Sequence, residues 1–219
     1  MNKNKKEVGA TIKQIRKERG ISQATLSRKM GFKDHSALTK IETGVNDANS
    51  ETLMELAKLL DVHVGVFFTG ITSELPSFKI KQYDDYYRDD MIFMVLSAKD
   101  ALHKIPSINP DLLDIKSNYL DKGDMFWIAI GEDNRVIGCI GYETIKPYEA
   151  RVHRLYVKPE LKRQGIGTAL LDTLVKYIKD KGYKSLSIHT GDEKYWESKL
   201  FYETKGFSEI EPNILRKDI

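Results

Sequence analysis

Residues 154–171 constrain the fold more than any other segment of this 219-residue chain. Their sequence, RLYVKPELKRQGIGTALL, passes from a strand-like pattern through a proline and a basic glycine loop into an apolar helical pattern. Loop amides and the positive end of the helix dipole would face an anion, and the glycines would let a pyrophosphate approach the backbone. The segment therefore predicts a pocket for a phosphate-bearing ligand, with positive charge added by Lys158, Lys162 and Arg163.

Two other phosphate-binding patterns also use closely spaced glycines, and the sequence fits neither. A dinucleotide fingerprint needs Gly or Ala at position 170, which is Leu170, and its glycine turn follows the strand directly. Here a proline-containing loop intervenes. The Walker pattern needs a Gly-Lys-Ser/Thr triplet, and none follows the loop. The remaining alternative is a helix start that contains glycines and binds no ligand.

The composition is that of an ordinary globular protein, with 41% hydrophobic and 31% charged residues. The single cysteine, Cys139, excludes a disulfide within the chain, and the five histidines are scattered, so we expect no metal site. The basic start lacks the apolar stretch of a signal peptide, and the longest apolar runs are too short to span a bilayer. We therefore expect a cytoplasmic protein that has no membrane partner.

The apolar periodicity changes class along the chain, which predicts two domains. Residues 6–68 show helical spacing only, with Ser22 and Ser50 as candidate helix caps, and they predict an all-α bundle. The next residues are rich in Gly, Pro, Ser and Thr. The predicted boundaries are 1–70 for the helical domain, 71–77 for a linker and 78–219 for a domain of strands and helices.

The pattern of the second domain is specific enough to place its elements. Helices are predicted over 85–104 and 110–121, and a hairpin is predicted to turn at Asp133-Asn134. A further helix is predicted around Trp196 to Thr204, followed by a short tail.

Two motifs in this domain resemble those of the GNAT superfamily of N-acetyltransferases. The six residues KRQGIG, 162–167, resemble its acetyl-CoA-binding loop, with Lys162 where the family prefers Arg or Gln. The residues FYETKGF, 201–207, match its Leu-Tyr-Glu-x-x-Gly-Phe pattern. The resemblance implies an α/β (α+β) acyltransferase fold with a mixed, mostly antiparallel sheet, and acetyl-CoA as co-substrate with no metal. The implied cofactor-binding residues are Leu155, Tyr156, Val157, Lys162, Arg163, Gln164, Gly165, Ile166, Gly167 and Thr168.

The same resemblance implies roles in catalysis. Tyr202 occupies the tyrosine position of the second motif, which in many relatives protonates the departing thiolate. The base is open, because Arg151 stands where many relatives carry a strand glutamate. The candidates are Glu149, two residues away on the same strand face, His189 at the end of a later strand, or no side chain at all. Arg151 could instead hold an anionic part of the substrate.

The N-terminal domain resembles the Xre, or lambda-repressor-like, helix-turn-helix family over ISQATLSRKMGFKDHSALTKIETG. Residues 1–72 hold twelve lysines and arginines against eight aspartates and glutamates, a net charge of +4, which suits duplex DNA. In this family the second motif helix enters the major groove. The implied DNA contacts are Gln23 and Lys40 to backbone or base edges, His35, Ser36 and Thr39 in the groove, and Lys33 to a phosphate.

These expectations leave three functions open. The first is an acetyl-CoA-dependent N-acetyltransferase that acts on a primary amine of a small molecule or protein, fused to a sequence-specific DNA-binding domain, as in a transcriptional regulator. The second is a transcription factor whose GNAT domain only senses acetyl-CoA or a metabolite. The third is an interaction protein in which neither activity survives. A homodimer is usual among relatives of the N-terminal domain.

Overall fold

The computed structural model describes residues 4–19, 21–69, 77–102, 105–191 and 196–219. The chain divides into two compact units, Met1–Leu75 and Pro76–Ile219. The predicted linker, 71–77, lies outside the described residues except for residue 77. The expected architecture is confirmed: a helical N-terminal region precedes an α/β domain with a mixed, mostly antiparallel sheet. None of the helices in the described ranges is both long enough and apolar enough to cross a lipid bilayer.

The N-terminal unit is a bundle of short helices, three of which start at a residue whose side chain caps the helix. Its helices are α1 (Lys5–Glu18), α2 (Gln23–Lys29), α3 (Ser36–Glu42), α4 (Ser50–Leu59) and α5 (Val66–Thr69). Ser22 caps α2 as predicted, because its side chain accepts from the Thr25 amide. The cap of α4 is Asn49, whose side chain accepts from the Thr52 amide, and the prediction of Ser50 was wrong by one residue.

A buried ion pair joins the first three helices of this unit. Arg16 Nε and Nη2 lie 2.5 and 2.9 Å from the two carboxylate oxygens of Glu42, and both side chains are almost fully buried. Gln23 Nε2 donates to the same carboxylate at 2.7 Å, and Arg16 Nη1 donates to the Ile21 carbonyl at 2.9 Å. Because α1, α2 and α3 each supply one member, the cluster fixes how α3 is presented beside α2.

In the second unit, the described strands form one seven-stranded sheet in the order β1-β2-β3-β4-β5-β7-β6. All neighbours are antiparallel except β4 and β5, which are parallel. The strands are β1 (Phe78–Gln82), β2 (Phe126–Gly131), β3 (Val136–Lys146), β4 (Glu149–Val157), β5 (Ser185–His189), β6 (Ser208–Glu211) and β7 (Ile214–Asp218). The helices are α6 (Arg88–Asp100), α7 (Ile115–Asn118), α8 (Ile166–Asp180) and α9 (Trp196–Thr204).

Alternate residues of the central strands face two different hydrophobic clusters. On β2, Phe126 and Ile128 pack with α6 and α7, whereas Trp127 and Ala129 pack with the residues of α8 and α9. The first cluster includes Met91, Met94, Val95, Ile115, Ile130 and Cys139, and the second includes Ile140, Ala150, Val152, Leu170, Leu174, Ile178 and Leu186. Helices therefore cover both faces of the central sheet.

Two element predictions for this unit were wrong. The helix predicted over 110–121 is a 3₁₀ turn, Pro110–Leu113, then the short α7, then a 3₁₀ turn, Leu120–Lys122. The break comes at Asp114, which has an extended φ of −146° and whose side chain caps the Ser117 amide. The predicted tail is instead the hairpin of β6 and β7, which completes the sheet beside β5.

Candidate functional site

The parallel strands β4 and β5 separate along their length. Their pairing runs only from Glu149 opposite Ser185 to Arg151 opposite Ser187. Beyond that rung β5 continues to His189 in register with β7, and β4 continues to Val157 in register with β3. The edge of β4 that faces β5 is therefore released from sheet pairing over 152–157, and its backbone groups can bind an extended ligand.

A β-bulge interrupts β4 inside this open stretch. Gly141 is opposite His153 and Cys139 is opposite Tyr156, so β4 has one residue more than β3 between these two rungs. Arg154 lies in the bulge with a φ of +55°, in the left-handed region that is uncommon for residues other than glycine. The extra residue shifts by one the alternation of the backbone groups that follow it, from Leu155 onward.

The bulge is held by contacts at both ends of Arg154. Its guanidinium Nε and Nη2 donate to the two Asp111 oxygens at 2.8 and 2.7 Å, and the Tyr119 hydroxyl donates to Asp111 at 2.5 Å. The Cys139 thiol donates to the Arg154 carbonyl at 3.2 Å. Burial raises the pKa of Cys139 to about 12, so the thiol keeps its proton. Burial alone would raise the pKa of Asp111, but the hydrogen bonds from Arg154 and Tyr119 outweigh it and lower that pKa.

The predicted phosphate loop connects β4 directly to α8. A 3₁₀ turn, Pro159–Leu161, follows the strand, and Gly165 adopts a φ of +84° at the residue before α8 begins. The first turn of a helix has N–H groups without an intrahelical acceptor. One of the predicted cations is already paired, since Lys158 Nζ lies 3.1 Å from Glu160 Oε1. All ten predicted cofactor-binding residues lie on this strand, loop and first helical turn.

Glycines bring the start of α8 close to its neighbours. A Cβ on Gly138 of β3 would lie 3.0 Å from Leu170 Cδ1 and 3.1 Å from Ile166 Cγ2, so α8 packs against bare backbone there. A Cβ on Gly167 would lie 3.5 Å from Val157 Cγ2 and 3.8 Å from Phe201 Cζ, which are ordinary contacts. The side chain of Ile166 is buried, which leaves only its backbone available to a ligand.

Tyr202 lies on α9, the helix whose Phe201 approaches Gly167. Its ring is buried and meets the rings of Phe201 and Phe207 edge to face at centroid distances of 5.1 and 5.3 Å. Burial raises the pKa of the Tyr202 phenol, so its hydroxyl is protonated at neutral pH. The structure thus brings the predicted acid to the side of the sheet where α8 begins.

The two predicted bases lie at opposite ends of the separated strands. Glu149 is the first residue of β4, where β4 and β5 are still paired, and its Oε2 lies 3.9 Å from Lys146 Nζ. Six residues of strand, about 20 Å, separate it from Leu155. His189 is exposed at the end of β5, two residues beyond the last paired rung. The structure therefore brings His189 to the open end of the split but not Glu149.

One histidine that the sequence analysis did not select lies at this open end. His153 Nε2 is 3.1 Å from Glu143 Oε2 across β3 and β4. The strand alternation could have placed His153 on the face of Arg151, but the contact with Glu143 depends on the register of two strands. Among the described residues, no group of three or more His, Cys, Asp or Glu side chains is arranged to hold a metal ion.

In the N-terminal unit, α2, the turn and α3 present most of the predicted DNA contacts on the surface. Lys33, His35, Ser36 and Lys40 are exposed, and Thr39 is half-buried with its hydroxyl donating to the His35 carbonyl at 2.8 Å. Gln23 differs, because its amide nitrogen is bound to Glu42 within the ion-pair cluster. Asp34, whose pKa is lowered by hydrogen bonds from Ser36, places a negative charge at the start of α3.

Comparison with known proteins agrees with both units. The sequence model described as "Acetyltransferase (GNAT) family" matches residues 84–207, more than half of the chain, and one described as "Helix-turn-helix" matches residues 12–67. The chain belongs to the GNAT acetyltransferase family. The fusion of a helix-turn-helix with a GNAT domain, expected from the two sequence motifs, is confirmed.

Three proteins that resemble the chain each match part of it. The chain is 31% identical to human N-acetyltransferase 8 over 103 residues, which is 44% of each of the two proteins. A GNAT acetyltransferase structure from Staphylococcus aureus Mu50 aligns with a TM-score of 0.59 and 23% identity, covering 65% of this chain and 99% of that one. The PaiA N-acetyltransferase of Thermoplasma acidophilum, in complex with coenzyme A, aligns with a TM-score of 0.52 and 20% identity over 65% and 99%.

Proposed function

We propose that this GNAT family member is an acetyl-CoA-dependent N-acetyltransferase that transfers acetyl to a primary amine, and that its helix-turn-helix binds duplex DNA as part of a transcriptional regulator. The main support for the acetyltransferase function is the separation of β4 from β5. Beyond this separation, β4 leads into the glycine loop and the first turn of α8. The separation offers an extended ligand one free strand edge, and the loop offers its phosphate end a helix N-terminus.

Three parts of acetyl-CoA, the pyrophosphate, the pantetheine arm and the thioester carbonyl, would each meet a different part of the chain. The loop 162–165 and the α8 amides of Ile166 and Gly167 would bind the pyrophosphate, with charge from Lys162 and Arg163. The free edge of β4 at Leu155, Tyr156 and Val157 would hydrogen-bond the pantetheine arm. The Leu155 amide, presented by the bulge, would donate to the thioester carbonyl oxygen, where negative charge develops during acyl transfer.

Tyr202 supports the final proton transfer of this reaction. Tyr202 lies on α9, next to Phe201 that approaches Gly167, and its protonated phenol would donate to the departing thiolate. Its aromatic neighbours exclude water and fix the ring, so the donor needs little reorganisation. Of the two predicted bases, His189 has more support than Glu149, because His189 lies at the open end of the split and Glu149 lies at its closed end.

Gly165→Glu is expected to abolish acetyl-CoA binding without unfolding the protein. The new carboxylate would face the pyrophosphate, and like charges in contact cost several kcal/mol, so the dissociation constant should rise about 100-fold or more. Isothermal titration calorimetry measures it. Gly182→Glu is the matched control, because Gly182 follows α8 with a φ of +83° and nothing within 4 Å of an added Cβ. Equal affinities of the two variants would contradict the proposed pyrophosphate site.

Tyr202→Phe is expected to lower kcat about 100-fold or more while acetyl-CoA affinity is unchanged, since only the proton donor is removed. The assay is mass-spectrometric detection of transfer from isotope-labelled acetyl-CoA to a pool of spermidine, L-lysine and a lysine peptide. Tyr177→Phe, which removes a hydroxyl from another ring packed in the same cluster, should leave kcat unchanged. An unaltered kcat in Tyr202→Phe would remove Tyr202 from the mechanism.

A second function, that of an acetyl-CoA sensor, is favoured by the residue at position 151 of β4. Arg151 occupies the position at which many relatives carry a glutamate, so the domain could bind acetyl-CoA and act only as a sensor. The labelled-transfer assay separates the two functions, because a sensor binds acetyl-CoA by calorimetry yet transfers nothing to any amine in the pool.

The DNA-binding half of the proposal rests on α3 and the residues around it. Ser36, Thr39 and Lys40 lie on one face of α3, opposite buried Leu38 and Ile41. The Arg16 and Glu42 ion pair fixes α3 against α1, so this face is presented rigidly. Lys33 and His35 precede the helix on the same exposed segment, and Gln23 adds a position at the start of α2. Dimerisation of the whole protein, which a paired operator would need, is part of this proposal.

Lys40→Ala is expected to weaken DNA binding and to reduce the salt slope of the association constant by about one unit if Lys40 contacts a phosphate. Full-length protein is titrated with a duplex selected from a random pool, at several salt concentrations. Lys13→Ala, which removes an exposed lysine of α1 outside the helix-turn-helix motif, should leave the slope unchanged. Failure to retain any duplex from the pool at low salt would favour a protein-interaction role for this unit.

A further inference from the structure

His153 occupies a distinctive position on β4. It is the last residue before the bulge, opposite Gly141 of β3, and it lies two residues before Leu155. Ala150 and Val152 face the cluster built on α8, so the alternation places His153 on the other face of the sheet, with Arg151. It also lies two residues beyond the rung at which β4 and β5 part, beside the open stretch of the strand.

The His153 imidazole contacts two side chains that orient it. Its Nε2 lies 3.1 Å from Glu143 Oε2, a contact that leaves Nδ1 as the nitrogen with a lone pair. The Tyr119 ring meets the imidazole edge to face at a centroid distance of 6.3 Å. Tyr119 is itself fixed through its hydroxyl to Asp111, and the Asp111 carboxylate is fixed by Arg154. The imidazole thus belongs to the same network that holds the bulge.

We propose that His153 is the general base that deprotonates the acceptor amine and that Glu143 is its positioning residue. This inference rests on the proposed acetyltransferase function. Nδ1 of His153 takes one proton from the acceptor ammonium, directly or through one water, and later releases it to solvent. The neutral amine then forms the N–C bond with the carbonyl carbon and the C–S bond breaks. The thiolate takes the Tyr202 proton, and the second amine proton returns to Tyr202.

The charges around His153 favour the neutral, proton-accepting form. Burial makes the largest contribution and lowers its pKa, and the positive charges of Arg154 and Arg151 act in the same direction. Glu143 and Asp111 oppose them, and the net pKa is below the ordinary histidine value. The imidazole is therefore neutral at pH 7. Activity should fall only at acidic pH, where the imidazole is protonated and can no longer accept a proton.

His189 is the rival base, and the structure gives it less support. It is exposed at the end of β5, and its partner across the sheet is Ile214 of β7 rather than a carboxylate. A base without an orienting partner loses both alignment and the stabilisation of its protonated form. His153 has both, from Glu143 across the adjacent strand.

The test is the pH profile of kcat/KM for the full-length protein, with labelled acetyl-CoA and the amine of the pool that turns over best. His153→Gln should lower kcat about 100-fold or more and remove the acidic limb, with acetyl-CoA affinity unchanged. Glu143→Gln should lower kcat less and move the acidic limb to lower pH, because the carboxylate that raises the His153 pKa is gone. A purely structural role of Glu143 would not move that limb.

Thermal melting curves establish that both variants are folded, and His63→Gln in the N-terminal unit controls for loss of a histidine. An acidic limb that persists in His153→Gln, or that disappears in His189→Gln, would overturn the assignment of His153 as the base. The acetyltransferase proposal would stand in either case. If the wild-type protein binds acetyl-CoA by calorimetry and transfers to no amine, the transferase proposal fails and the base assignment fails with it.

Discussion

The ion pair between Asp111 and Arg154 holds the backbone feature on which the candidate site depends. A left-handed conformation at a residue other than glycine costs about 1–2 kcal/mol, and a strand bulge does not persist unless its surroundings compensate. Here the compensation comes from two bonds to the Asp111 carboxylate and from the thiol of Cys139 on the adjacent strand. Bidentate, charge-assisted hydrogen bonds are stronger than neutral ones, so the ion pair can offset the cost of the left-handed backbone at Arg154.

The bulge links the two halves of the candidate site. On one side of the bulge the strand leads into the glycine loop, and on the other side His153 contacts Glu143. Gly138 supports the same arrangement, because its missing side chain lets the first turn of α8 lie against β3 beside Tyr156. A long-range ion pair, a strand bulge and a close helix approach thus position groups that are far apart in sequence.

Features encoded by neighbouring residues could be predicted from the sequence, and features that depend on pairing between distant segments could not. The run from Arg154 to Leu171 specifies its own strand, loop and helix, so the position of the loop between β4 and α8 could be predicted. The contact of His153 with Glu143 requires the register of two strands, which the local pattern does not encode. The β6 and β7 hairpin was missed because its strands are short and mostly polar, so period-two alternation is weak there. The motif position of Gln23 predicts a DNA contact, but it could not predict the bond of the Gln23 amide to Glu42, because that bond joins two different helices.

In the proposed acetyltransferase, the bulge would direct the Leu155 amide to the thioester carbonyl. The most direct measurement is the amide proton shift of Leu155 in ¹⁵N-leucine-labelled protein, assigned from its loss in Leu155→Ile, with saturating acetyl-CoA or coenzyme A. A downfield shift is expected with acetyl-CoA and not with coenzyme A, because only acetyl-CoA carries the thioester carbonyl oxygen that would accept the bond. The same Leu155 shift with both ligands, or none with either, would contradict it.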